Sequence, residues 1–147
     1  MKKVIVFLVS IILSSCSNTK EITVLNHTNL TPPIGPYSPS VSYGDLIFIS
    51  GQIGIDPATN TLKQGIDEQT TQIFENLKII LNNSNSDLNH IIKTTIFITD
   101  IKQFERINKI YGSYFNNHFP ARSTIEVASL PKNANIEIEC IAVKKYD

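Results

Sequence analysis

The sequence predicts an α/β (α+β layer) fold: a single mostly antiparallel or mixed sheet with two helices on one face. Three observations carry that expectation. Short runs rich in β-branched residues mark strands. Two longer stretches repeat apolar residues at helical spacing. The order is strands, helix, strand, helix, two strands. Such an alternation buries its apolar faces as one sheet against one helical layer. The chain has 147 residues, which fits a single domain.

The elements follow in order. Residues 22–25 (ITVL) form a short first strand. TPPIGPYSPS has four prolines in ten residues, which excludes a helix interior or a central strand because proline lacks an N–H and fixes φ. VSYGDLIFIS is a hairpin about Tyr43-Gly44-Asp45, with Gly51 ending its second arm and turn-rich sequence after it. Ile66, Ile73, Leu77, Ile80 and Leu81 make the stripe of a helix from Ile66 to Leu81, stopped by NNSNSD. Residues 91–98 (IIKTTIFI) are a strand. Asp100 caps the next helix with Gln103 in capping-box position. That helix buries Ile101, Phe104, Ile107, Tyr111, Tyr114 and Phe115. FPARSTIEVASLPKNANIEIECIAV supplies the last two strands about a Pro-Lys-Asn turn. The face of the sheet away from the helices needs a cover. Phe48, Ile96 and Ile98 are expected to make it apolar, and a homo-oligomer is the natural cover.

Net charge is +0 and the pI about 6.8, so no electrostatic footprint for nucleic acid is present. The N-terminus reads MKK, then the ten-residue, mostly apolar run VIVFLVSIIL. That run is too short to span a bilayer, which takes about 20 residues, and it suits a signal-peptide core. Leu13-Ser14-Ser15-Cys16 resembles the lipobox of bacterial lipoproteins. The expectation is a leader at 1–15, a lipid-anchored Cys16 opening a tether at 16–22, and a folded domain at 23–147. A plain secretory signal or a short uncleaved anchor is the alternative. Cys140 is then the only other cysteine, so no internal disulfide is expected. Alternation in IEIECIAV puts Cys140 with Ile136 and Ile138, as a small core residue.

The motifs exclude several chemistries. His27, His90 and His118 have no metal-ligand spacing, and there is no Gly-rich phosphate loop and no G-x-S-x-G elbow. Any catalysis falls to Arg, Glu, Tyr, Asn and backbone groups. Arg122, heading a strand, is either a bidentate carboxylate clamp or a surface ion pair with Glu126 or Glu137. Glu137 and Glu139 share a strand face with Ile141 and Val143, so a partly buried carboxyl with a raised pKa competes with a solvated pair. Tyr37 stands on the stiff Gly35-Pro36-Tyr37 segment, as a pocket wall or a packed loop residue. Gly51 allows close approach of a ligand or marks a bulge. Asn108 is a poor mid-helix choice and a weak hint of function.

IGPYSPSV, LIFISGQIGIDPATN, TTIFITDIKQF, INKIYGSYF and FPARSTIEVASLPKNANIEIECIAV, in this order, resemble the RidA/YjgF family of reactive-intermediate (enamine/imine) deaminases. The resemblance covers residues 23 to 145. It implies a homotrimer with a barrel-like core and active sites in clefts between subunits. It matches Glu137 to the catalytic glutamate, Arg122 to the carboxylate-binding arginine, and Tyr37, Gly51 and Asn108 to further site positions. Thr124 stands where many members have Cys. The implied reaction is hydrolysis of 2-aminoacrylate-like enamines or imines to a 2-keto acid and ammonia, with no cofactor and no metal. The alternative is a non-catalytic trimeric binding module for a small carboxylate or amino-acid-like ligand. Ribonuclease activity, attached to some relatives, has little support in a neutral chain. One tension stands: the usual substrates arise in the cytosol, whereas LSSC points outside it.

Overall fold

The structure, a computed structural model, describes residues 21–146. The leader at 1–15, Cys16 and all but the last residues of the expected tether lie outside them. Among the described residues no helix is long and apolar enough to cross a membrane. The strands are β1 (Ile22–Val24), β2 (Ser40–Tyr43), β3 (Leu46–Ile53), β4 (Ile55–Asp56), β5 (Thr61–Leu62), β6 (Ile91–Ile98), β7 (Ala121–Glu126) and β8 (Ile136–Val143). The helices are α1 (Gly65–Asn83) and α2 (Phe104–Ser113). Six strands form one sheet in the order β1-β2-β3-β8-β6-β7, and β4-β5 make a small separate hairpin. Only β6 and β7 pair in parallel, and α2 is the crossover such a pair requires.

Local chemistry explains the elements. Gly44, at φ 60, turns the β2–β3 hairpin without a Cβ clash. In α1, Ile66, Ile73, Leu77, Ile80 and Leu81 are buried, the stripe the periodicity predicts, and Phe74 is fully buried beside them. Asp100 does cap, but it caps a single 3₁₀ turn (Ile101–Gln103) ahead of α2, accepting from the Lys102 N–H. Gln103 donates to the Asp100 side chain at 3.1 Å instead of reaching back to its backbone. The tighter turn rotates Ile101 outward to 46% exposure, so Ile101 is not part of the buried face.

Both helices lie on one side of the sheet, and the core sits between them. Ile47 and Ile49 of β3, Ile136, Ile138, Cys140 and Ala142 of β8, and Thr94, Ile96 and Ile98 of β6 all point into that layer. Ile96 and Ile98 are therefore buried under the helices and do not line the open face. Their partners Ile138 and Ile136 fix the side, and Thr95 and Phe97 take the open face in their place. Phe48 does lie there, 39% exposed, beside Val41 and Ile141. These residues, with Lys93, Thr95 and Glu139, line a shallow concavity of about 550 Å³.

Candidate functional site

Glu137 is the second residue of β8 and faces the open side, opposite Ile53 of β3 and Phe97 of β6. Just before, β3 carries a bulge. Ile49 pairs with Cys140 and Gln52 with Ile138, so Ser50 and Gly51 together oppose Glu139. The bulge brings the β3 backbone under the Glu137 side chain. A Cβ on Gly51 would overlap Glu137 Oε1 and lie 2.7 Å from its carboxyl carbon. Only glycine admits that approach, so Gly51 is both a bulge and a close-contact position.

The proline-rich loop closes the same space. The Ser50 backbone N–H donates to the Pro39 carbonyl at 3.0 Å and the Ser50 hydroxyl to the Ser38 carbonyl at 2.7 Å, tying loop to bulge. Tyr37 hangs from this loop, its hydroxyl accepting from the Ile34 N–H. Tyr37, Ser50, Gly51, Ile53, Pro131 and Glu137, with Ile34, enclose a pocket of about 270 Å³. Burial, and then the like charge of Glu139, raise the Glu137 carboxyl above its ordinary value. Among the described residues Glu137 makes no ion pair. A half-buried, unpaired carboxyl that holds its proton more tightly than usual is suited to exchanging one with water.

Arg122 occupies different ground. It pairs with Thr94 in the β6–β7 register, and Thr94 points into the helical layer. The guanidinium carbon lies 4.7 Å from the Tyr111 ring centroid and 5.6 Å from that of Phe104. No described carboxylate pairs with it, so the surface ion pair with Glu126 or Glu137 is absent. Glu126 instead accepts from the Ile101 N–H. Thr124, opposite Ile96, follows on the same face as Arg122. Asn108 lies between Phe104 and Tyr111 at helical spacing, and its Oδ1 is buried without a partner.

The predicted residues thus form two groups. Tyr37, Gly51 and Glu137 meet in one pocket on the open face. Arg122 and Thr124 lie on the helix side of β7, an edge strand, and Asn108 belongs to α2, between the Phe104 and Tyr111 on which the guanidinium rests. Glu137 pairs with Phe97, which pairs with Ile125, so Arg122 and Glu137 are on opposite faces of the same sheet. No side-chain movement within one protomer carries one through the sheet to the other. Sequence reasoning missed the pocket walls Ile34, Ile53 and Pro131 and the loop clasp of Ser50. It took Phe104 and Tyr111 only as core, although their spacing about Asn108 was the available signal.

Elsewhere the residues are structural. Cys140 is buried, and burial first and Glu139 second push its thiol up to about 12. His118 bonds the Ile91 carbonyl at 3.3 Å.

The family model described as endoribonuclease L-PSP matches residues 28–144. A RutC family protein of Aquifex aeolicus is 49% identical over 114 residues, which are 76% of this chain and 91% of that protein. The chain belongs to the RidA/YjgF family. Another relative, the chloroplastic Reactive Intermediate Deaminase A of Arabidopsis thaliana, is 40% identical over 134 residues, 90% of this chain and 71% of that one. The crystal structure of E. coli TdcF with bound serine superposes with a TM-score of 0.79 at 36% identity, covering 84% of this RidA/YjgF chain and 99% of that chain. The family match starts at residue 28, downstream of the apolar N-terminal run.

Proposed function

We propose that this RidA/YjgF chain is a hydrolytic deaminase of 2-aminoacrylate-like enamines and imines, working in sites shared between the subunits of a homotrimer. One observation carries the reading. An unpaired guanidinium and a carboxyl with a raised pKa, the two groups the chemistry needs, lie on opposite faces of one sheet. A second copy laid with its open face toward the β7 edge brings its Glu137 group to the first copy's Arg122 group. The exposed Phe48 and Ile125 of the open face favour such a cover. The deaminase name of the Arabidopsis relative and the serine bound to TdcF, a ligand with a carboxylate, agree with it.

The steps follow from the residues. Arg122 holds the substrate carboxylate by charge-assisted hydrogen bonds. An enamine first takes a proton from solvent at its β-carbon and becomes the iminium, the protonated imine. Glu137, ionised, removes a proton from water as its oxygen adds to the iminium carbon and the C=N electron pair moves to nitrogen. Glu137 returns that proton to the amine. The C–N bond then breaks as the hydroxyl gives its proton back to Glu137 and becomes the keto group, ammonia leaves, and Glu137 releases the proton to solvent. This acid–base contribution is of order 10²–10⁴-fold. The imine carbon is already electrophilic, so the steps need no covalent nucleophile and no cofactor.

The test mixes the purified domain with an imino acid formed in situ by an amino-acid oxidase and follows keto-acid release. Acceleration that Glu137→Gln and Arg122→Ala each remove is expected. Retained binding of a small carboxylate without acceleration would overturn the enzyme reading in favour of the binding module. We propose further that LSSC is used, with Cys16 lipidated and the domain exported. Labelling by a fatty-acid analogue that Cys16→Ala abolishes is the expected outcome, and an unlabelled chain would overturn the lipid anchor in favour of a plain secretory signal or a short uncleaved anchor.

A further inference from the structure

The aromatic support of Arg122 is built with more care than a core contact needs. Thr94 is the register partner of Arg122 on the neighbouring strand, and it is fully buried. Its Oγ1 lies 3.0 Å from the Tyr111 hydroxyl. That bond pins the far end of the Tyr111 ring, while Phe74, meeting the ring edge-on at 5.6 Å, and Phe115, packed at 4.8 Å, hinder its rotation. The ring face left over is the one the guanidinium rests on, at 4.7 Å. Burial raises the Tyr111 phenol above its ordinary value, against the opposing pull of Thr94 and of the Arg122 charge. The ring therefore stays a neutral π surface beneath a cation. Phe104 supplies a second face, at 5.6 Å.

We propose that Tyr111 is a positioning residue for Arg122: locked by Thr94 and assisted by Phe104, it holds the guanidinium with its donor edges free for a carboxylate. An unsupported arginine samples many rotamers, and ordering it on binding lowers affinity. A guanidinium already resting on aromatic faces is pre-organised for bidentate pairing. The inference rests on the reading of Arg122 as a carboxylate clamp and adds what makes that clamp rigid.

The probes are pyruvate and its neutral amide, pyruvamide, with dissociation constants measured by calorimetry. Tyr111→Leu is expected to weaken pyruvate about tenfold, the size of a partly desolvated cation–π contact, and to leave pyruvamide within about twofold. Tyr111→Phe keeps the ring and stays within about threefold of wild type for both. In the deaminase assay Tyr111→Leu raises KM and leaves kcat near wild type, because the support acts on the carboxylate and not on the reacting carbon. Should Tyr111→Leu fail to fold, Phe104→Leu carries the same test, with a smaller loss confined to pyruvate. Equal weakening of both probes would reduce Tyr111 to a structural residue and overturn the proposal. So would an unchanged pyruvate preference in both leucine variants while Arg122→Ala abolishes it. An unchanged preference in Arg122→Ala itself would overturn the clamp, and this inference with it.

Discussion

Glu137 sits where burial and the neighbouring charge of Glu139 both favour its protonated form. As a general base it must be ionised, so kcat/KM should rise with pH along a limb above the ordinary carboxylate value. Glu139→Gln should shift that limb toward lower pH, and a limb that stays put would show that Glu139 does not tune the site. The stability effect has a defined sign. The folded chain keeps the Glu137 proton to higher pH than the unfolded chain does, so this group's contribution falls as pH rises from its unfolded to its folded pKa. Gly51→Ala tests the other half of the contact. The added Cβ must push the Glu137 carboxyl aside, and a displacement of about 1 Å costs on the order of 10²-fold in rate. Normal turnover by a folded Gly51→Ala protein would refute that geometry. Cys140 was readable from alternation alone. Its thiol should ignore a disulfide reagent in the native protein and react on denaturation, whereas rapid native labelling would contradict the burial.

At the scale of elements, α1 packs on α2 and the residues after it through Phe74. Its ring stacks on Tyr114 at 4.2 Å and meets Tyr111 and Phe115 edge-on, with no solvent exposure. Phe74→Ala should cost about 3–5 kcal/mol in chemical denaturation, since a cavity there cannot collapse under two helices. A loss below about 1 kcal/mol would mean the layer repacks. The C-terminal end is held by Asp87, which accepts from Lys145 and His90 at 2.8 Å each. Burial on its own raises the Asp87 pKa, but Lys145, His90 and the Asn89 N–H outweigh it and bring the group to about 2. Its contribution is therefore present above the unfolded value of 3.8 and is lost as pH falls toward 2. Lys145→Ala should move the acid unfolding transition to higher pH, and an unmoved transition would count against the clasp. Both helices and the six strands of the main sheet were legible because their apolar periods differ, 3.6 against 2, whereas the two-residue strands β4 and β5 are too short to show a period and were read as turns. Ile101 was misread because a 3₁₀ turn and an α-helix share that pattern until hydrogen bonds separate them.

The molecule as a whole exposes one sheet face and two sheet edges, β1 and β7, and its two groups of site residues lie at the face and at the β7 edge. Shared sites make a sharp prediction. Arg122→Ala and Glu137→Gln, each inactive alone, should recover about a quarter of wild-type activity when co-expressed, because a mixed trimer regains one of its three sites. No recovery in proven mixed trimers would overturn the shared-site reading. The shallow open-face concavity beside Glu139 would then need another occupant.

The sequence by itself determined the two helices and the strands of the main sheet, the alternation within each strand, the lack of metal-ligand and nucleophile motifs, and the residue types gathered for the chemistry. It also determined family membership, through motifs that keep their order along the chain. Only the tertiary structure decided that Arg122 and Glu137 are on opposite faces, that Ile96 and Ile98 turn inward, and that Tyr111 carries the guanidinium. The physical reason is register. A period of two fixes which residues of one strand share a face, but which face that is depends on the strand alongside. Bulges at Ser50-Gly51 and near Ile92 shift the register by one residue each, and nothing local in the sequence announces the side on which a neighbour pairs.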